Sequence, residues 1–231
     1  MLTILLIALG VFALGTLATM LAAYTESRLD WPYSEPKPPR PDDTLDPYTL
    51  RQLTGARGLQ FRILGWSNDI KGPQYKIDYL FLVAPGADTL AIVGVGKLFG
   101  MSLKGIWLIS IGENDTGFIS VNSPSCSEVD VTGRWKDQLV LDADFADLYN
   151  SHCAWLNKMG VLLLPFSPGA ELDLYRQAKQ RRVELLIQAG VARRVGPDPT
   201  RWKYTFAGAV RRGFWGNMLT MGRSLKVTKS H

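Results

Sequence analysis

"TLAIVGVGKLFG", Thr89 to Gly100, is the stretch on which the fold turns. An apolar run ends in Gly94-Val95-Gly96, a third glycine follows at Gly100, and Glu113 lies nineteen residues past Gly94. A dinucleotide-binding βαβ unit opens in nearly this way. Such a unit also needs a full helix and a second, parallel strand. The spacing here is GxGxxxG, and only eight residues, "KLFGMSLK", separate Gly96 from Gly105, where the next apolar run begins. A crossover needs about a dozen residues or more. Glu113 falls in the turn "ENDT" between "GIWLISIG" (105–112) and "TGFISVNS" (116–123), which read as one hairpin. The glycines therefore read as a bend or bulge in a buried strand, and no nucleotide cofactor is expected. A phosphate-binding P-loop is excluded too, because Leu98 follows Lys97 and position 91 is Ala.

Outward from this stretch the period is that of strands. "GLQFRILGW" (58–66), "YKIDYLFLVA" (75–84) and "TLAIVGVG" (89–96) precede the hairpin, and "DQLVLD" (137–142) follows it. The period then changes. Phe145, Leu148, Tyr149, His152, Leu156 and Met159 recur at three and four, which predicts a helix stopped by Gly160. "VLLLPF" (161–166) is a possible short strand. Leu172 to Ala189 predicts a second amphipathic helix capped by Gly190. "VARRV" (191–195) and "RWKYTF" (201–206) flank the turn "GPDPT", and residues 207–222 read as an irregular helix. Strands first and helices later predict an α+β fold: a largely antiparallel sheet, two or three helices and a short β-hairpin.

The N-terminus reads differently. Residues 2–24, "LTILLIALGVFALGTLATMLAAY", carry no charge. A helix of that length rises about 34 Å, enough for a hydrocarbon core of about 30 Å. With no basic residue before it and a poor cleavage site after it, an uncleaved single-pass anchor over 1–24 is expected rather than a signal peptide. Arg28, Lys37 and Arg40 follow, which predicts an inner-membrane protein with its globular part in the cytoplasm. Residues 25–49 hold six prolines, at 32, 36, 38, 39, 41 and 47, and are expected to be an extended spacer. The globular domain is then 50–231.

Charge is uneven over the 231 residues. Residues 1–168 hold 13 Lys/Arg against 17 Asp/Glu, and residues 169–231 hold 13 against 4. A basic end of this kind predicts an anionic lipid or protein partner, with nucleic acid as a further candidate. The supply of metal ligands is small: Cys126, Cys153, His152 and His231 are the only Cys and His. No metal site is expected, and spacing does not decide whether the cysteines are bonded. His152 and Cys153 are neighbours on a helix and point about 100° apart, so they do not form a nucleophile–base pair. His152 lies on the apolar stripe, where a hydrogen-bonded core histidine is expected. Asp142, Asp144 and Asp147 cluster before a helix, where its macrodipole favours carboxylates. No catalytic site is expected.

The basic end carries one further pattern. "LLIQAG" followed by "VARRVGPDPTRWKYTFAGAVRRG" resembles the last helix and β-hairpin wing of a winged-helix module, over about 45 residues. That resemblance implies phosphate contacts by the hairpin. In "FAGAVRRGFWGNMLTMGR" (206–223), Phe206, Val210, Phe214 and Met218 recur every four residues, flanked by Arg211, Arg212, Trp215 and Arg223. Arg211, Arg212, Trp215 and Arg223 are the candidate contacts to a membrane or partner. A helix capping the domain's own sheet explains the same pattern. The functional expectation is a membrane-anchored, non-enzymatic interaction module; the alternative is a membrane-tethered nucleic-acid-binding regulator.

Overall fold

The computed structural model describes residues 2–69, 75–98, 101–123 and 133–212. In chain order it has helix α1 (Leu2–Thr25), strand β1 (Arg28–Leu29), a 3-10 turn (Asp42–Thr44) and helix α2 (Pro47–Gly58). Six strands follow: β2 (Arg62–Asn68), β3 (Tyr75–Val83), β4 (Leu90–Leu98), β5 (Met101–Gly112), β6 (Thr116–Val121) and β7 (Trp135–Leu139). Helices α3 (Phe145–Met159) and α4 (Glu171–Gln188) and strands β8 (Ala192–Arg194) and β9 (Arg201–Tyr204) complete it. The chain forms two compact units, Trp31–Arg181 and a smaller one of Met1–Asp30 with Arg182–His231.

The larger unit is built on β2-β3-β4-β5-β6-β7, paired in that order. The first five run antiparallel, each to the next, and β7 lies parallel to β6. Strand periodicity of two sends alternate residues to opposite faces, and here both faces are buried. Ile77, Tyr79, Phe81 and Val83 of β3 enter one core with Ile92, Ile109 and Ile119. Phe166 and Tyr175 belong to that core, and Trp31 and Tyr33 pack against it. Leu80 and Leu82 enter the opposite core with Val93, Ile106 and Leu108, under Leu53 and Ala56 of α2 and Phe145 and Leu148 of α3.

Part of the proline-rich segment lies along this sheet. Lys37 exchanges both backbone hydrogen bonds with Trp66, at 2.6 and 2.9 Å, and the Ser34 N–H donates to the Asn68 carbonyl. These bonds occupy the outer edge of β2, which otherwise offers unpaired groups to other chains. Gly65 sits at a bulge there with φ 153°, and a Cβ on it would meet the Lys37 carbonyl oxygen at 2.5 Å.

The opening glycines take their place in β4. It pairs directly with β5, Gly94 opposite Gly105, so no crossover helix intervenes. Glu113 begins the 3-10 turn between β5 and β6. Gly94 is small for a packing reason: a Cβ there would lie 2.7 Å from the Trp107 ring and 3.1 Å from that of Tyr79. Gly100 lies outside the described residues.

In the smaller unit β1, β9 and β8 form a three-stranded antiparallel sheet in that order. Trp202 and Tyr204 are buried on it, their rings 5.2 Å apart at 75°. Arg28 lies over both rings, and Arg194 pairs with the buried Asp30 at 2.6 Å. Residues 206–212 are helical. Thr205 caps them, its hydroxyl accepting from the Gly208 N–H at 3.2 Å.

The α+β class is as expected, but the single-pass helix over 2–24 is corrected. α1 covers that stretch, yet among the described residues no helix is long and apolar enough to cross a membrane. Within α1, Thr16 and Ala23 are buried. The membrane anchor, the inner-membrane placement and both membrane-anchored functional expectations rested on that span and are withdrawn with it. A second difference is α2. It starts inside what read as spacer, because Asp46 caps it, accepting from the Tyr48 and Thr49 N–H groups, and Pro47 occupies its first turn.

Gly94→Ala is expected to destabilise the protein by about 1–3 kcal/mol, the usual cost of overpacking a filled core. Urea unfolding measures it; an unchanged midpoint would mean that Trp107 swings away freely.

Candidate functional site

A polar pocket of about 410 Å³ lies in the larger unit, lined by Tyr48, Arg51 and Gln52 of α2, Lys104 of β5, Asn122 and Ser123 after β6, and Asp142 to Asp144 before α3. Its volume is in the range of small-molecule sites. The helix period places Tyr48 and Arg51 on one face, three residues apart, while Thr49, Gln52, Leu53 and Ala56 face the core.

The walls are held by two side-chain amides. The Asn122 side-chain carbonyl accepts from the Ile106 N–H at 2.8 Å, and its NH₂ donates to the Ala143 carbonyl at 3.0 Å and the Tyr48 hydroxyl at 3.3 Å. The buried Gln52 carbonyl accepts from the Phe145 N–H at 3.0 Å and so ties α2 to the first turn of α3. Asp144 caps α3, accepting from the Asp147 N–H at 2.9 Å. Asp142 has φ 56°, a left-handed conformation that Asp and Asn accept more readily than most residues.

Charge inside this frame is unpaired. The Lys104 ammonium is 5.5 Å and the Arg51 guanidinium 5.9 Å from the centre of the Tyr48 ring. Both side chains are exposed, and neither meets a carboxylate among the described residues. Two cations beside one ring can receive a carboxylate or phosphate, Arg51 with its planar fork and Lys104 as a point charge.

His152 belongs elsewhere, in the core beneath α3. It is fully buried, 2.6 Å from the Ser120 hydroxyl through Nδ1 and 3.1 Å from the Ser110 hydroxyl through Nε2. The Gln138 amide donates to Ser120 at 2.8 Å, Ser110 lies 3.1 Å from Thr89, and Thr89 donates to the Asp88 carboxylate at 3.1 Å. One direction of donation satisfies the whole chain: Gln138 to Ser120 to His152 Nδ1, then His152 Nε2–H to Ser110 to Thr89 to Asp88. That order assigns a neutral imidazole protonated on Nε2. Burial agrees, holding its pKa down at about 3. Cys153 is a free thiol, and burial raises both its pKa and that of Tyr149, with which it is hydrogen-bonded.

Of the residues predicted as partner contacts, Arg211 is exposed on the 206–212 helix, while Arg212 donates to the Tyr204 hydroxyl at 3.1 Å and lies over its ring. Trp215 and Arg223 lie outside the described residues, as does Cys126. Among the described residues no cluster of Cys, His, Asp or Glu is arranged to hold a metal ion. The pocket was missed from sequence. Asp46-Pro47 marks the start of the helix that carries Tyr48 and Arg51, but nothing local to Lys104 or Asn122 marks them.

Below pH 6.5 the unfolded chain takes up a proton on His152 that the native chain refuses until about pH 3. Stability is therefore expected to fall as pH drops through that window, by at most ~1.4 kcal/mol per pH unit from this group. Urea unfolding at pH 7 and pH 5 should show a smaller loss in His152→Gln; an equal loss would place the effect on other groups.

No protein family's model matches the chain, nor does any curated protein or solved structure.

Proposed function

We propose that the larger unit is a binding domain for a small, polar ligand that carries an anionic group. The observation that carries this reading is the placement of Arg51 and Lys104 beside Tyr48 in one pocket, with no carboxylate partner for either among the described residues. Side-chain cations commonly lie in bulk solvent, but here they border a concave site whose walls are set by Asn122 and Gln52. Preorganised walls lower the ordering cost of binding. Neither His152 nor Cys153 lines the pocket, and the reading is one of binding.

Calorimetric titration of the full chain with succinate and with inorganic phosphate tests it. At least one is expected to bind, and Arg51→Gln with Lys104→Gln together to weaken it at least tenfold, as loss of a charge-assisted pair implies. Absence of heat with both anions, in a folded protein, would remove the site.

A second reading concerns the smaller unit, which holds eleven Lys/Arg against four Asp/Glu. Arg193 and Lys203 stand directly opposite each other on β8 and β9, and neither has a carboxylate partner among the described residues. Like charges facing across a strand pair destabilise a sheet, and an anionic protein or nucleic acid laid over them relieves that repulsion. Under this reading Arg193→Ala with Lys203→Ala weakens binding of the full chain to a polyglutamate peptide or to duplex DNA, and lowers the salt slope of the DNA complex. Unchanged binding to both probes would end it.

A further inference from the structure

We infer that the pocket recognises a zwitterion, a small ligand with a carboxylate or phosphate at one end and an amine at the other. The inference rests on the binding reading above and adds the second end. Asp142 lines the same pocket as Arg51 and Lys104. Its side chain is exposed, and its carboxylate has no partner among the described residues. The neighbouring Asp144 is different, because its carboxylate is engaged as the cap of α3.

Opposite charges that border one cavity and make no ion pair with each other leave both signs available. An exposed Arg–Asp pair gains little by closing, because solvent screens the attraction and closing costs side-chain entropy, so exposed charges of both signs stay available to a ligand. The three side chains also leave separate elements. Arg51 is carried by a helix whose Gln52 is locked onto Phe145. Lys104 leaves a strand residue paired with Val95. Asp142 is set by a left-handed backbone whose N–H donates to the Asn122 carbonyl at 3.3 Å. A plain anion satisfies Arg51 and Lys104 but is repelled by Asp142. A plain amine has the reverse difficulty. A molecule with both charges satisfies all three groups, and the 410 Å³ available exceeds what a bare ion needs.

Four probes decide the matter by calorimetry on the full chain: glycylglycine, phosphoethanolamine, succinate and n-butylamine. At least one zwitterion is expected to bind tenfold or more tighter than succinate, and butylamine to bind weakest. Comparison of glycylglycine with phosphoethanolamine tells whether the anionic end is a carboxylate or a phosphate. Asp142→Asn keeps the left-handed conformation, which Asn accepts readily. It is expected to reduce the preference over succinate to less than threefold without weakening succinate itself. Equal binding of succinate and both zwitterions to the native chain overturns recognition of the amine while the anion site stands. Absence of binding by every probe overturns both. A preference that survives intact in folded Asp142→Asn also overturns it, because the amine then has another receptor.

Discussion

The larger unit depends on one constraint: its central strands are buried on both faces. In β3, Tyr79, Phe81 and Val83 enter one core while Leu80 and Leu82 enter the other, and each is almost inaccessible. Burial of such side chains contributes roughly 1.5–3 kcal/mol apiece. A strand in this position carries an apolar run, "YLFLV", rather than an alternation. The helices follow from the same need, α2 and α3 covering one face and the first part of α4 the other.

Two-sided burial makes any polar side chain on the central strands expensive unless it is bonded. Thr89, Ser110 and Ser120 sit on β4, β5 and β6 or at their margin, and all three are buried. His152 answers two of them at once from α3, and Asp88 and Gln138 close the chain at its ends. The histidine is therefore a packing residue with polar duties. Its neutrality is imposed by the core, and a protonated imidazole would reverse the Nδ1 bond that Ser120 donates.

The pocket draws on the same frame at a point where the core gives way to solvent. Its fixed elements are amides: Asn122 is bonded to backbone and to Tyr48, and the Gln52 carbonyl to the Phe145 N–H. Its free elements are charges on long or exposed side chains. Hydrogen-bonded polar walls with unpaired charge at the rim suit recognition of a charged small molecule, and they differ in kind from the buried chain around His152, where both ring nitrogens and all three hydroxyls have partners.

Local chemistry determined a good deal. The apolar runs, the turn "ENDT", the Asp-x-x-Asp cap and Gly160 stop of α3, and the apolar stripe that holds His152 are all written in short stretches, because strand and helix periods and cap residues act over a few neighbours. Long-range packing decided the rest. Why Gly94 is glycine is answered by Trp107 and Tyr79, which reach it from two other strands. The parallel pairing of β7 with β6, and the use of Lys37 to close the edge of β2, need partners far away in sequence. The pocket is the extreme case. Tyr48, Lys104, Asn122 and Asp142 come from four separate segments, and no periodicity relates them. Only the sheet order and the docking of α2 and α3 bring these side chains to one place, since a pocket is a property of contacts in space.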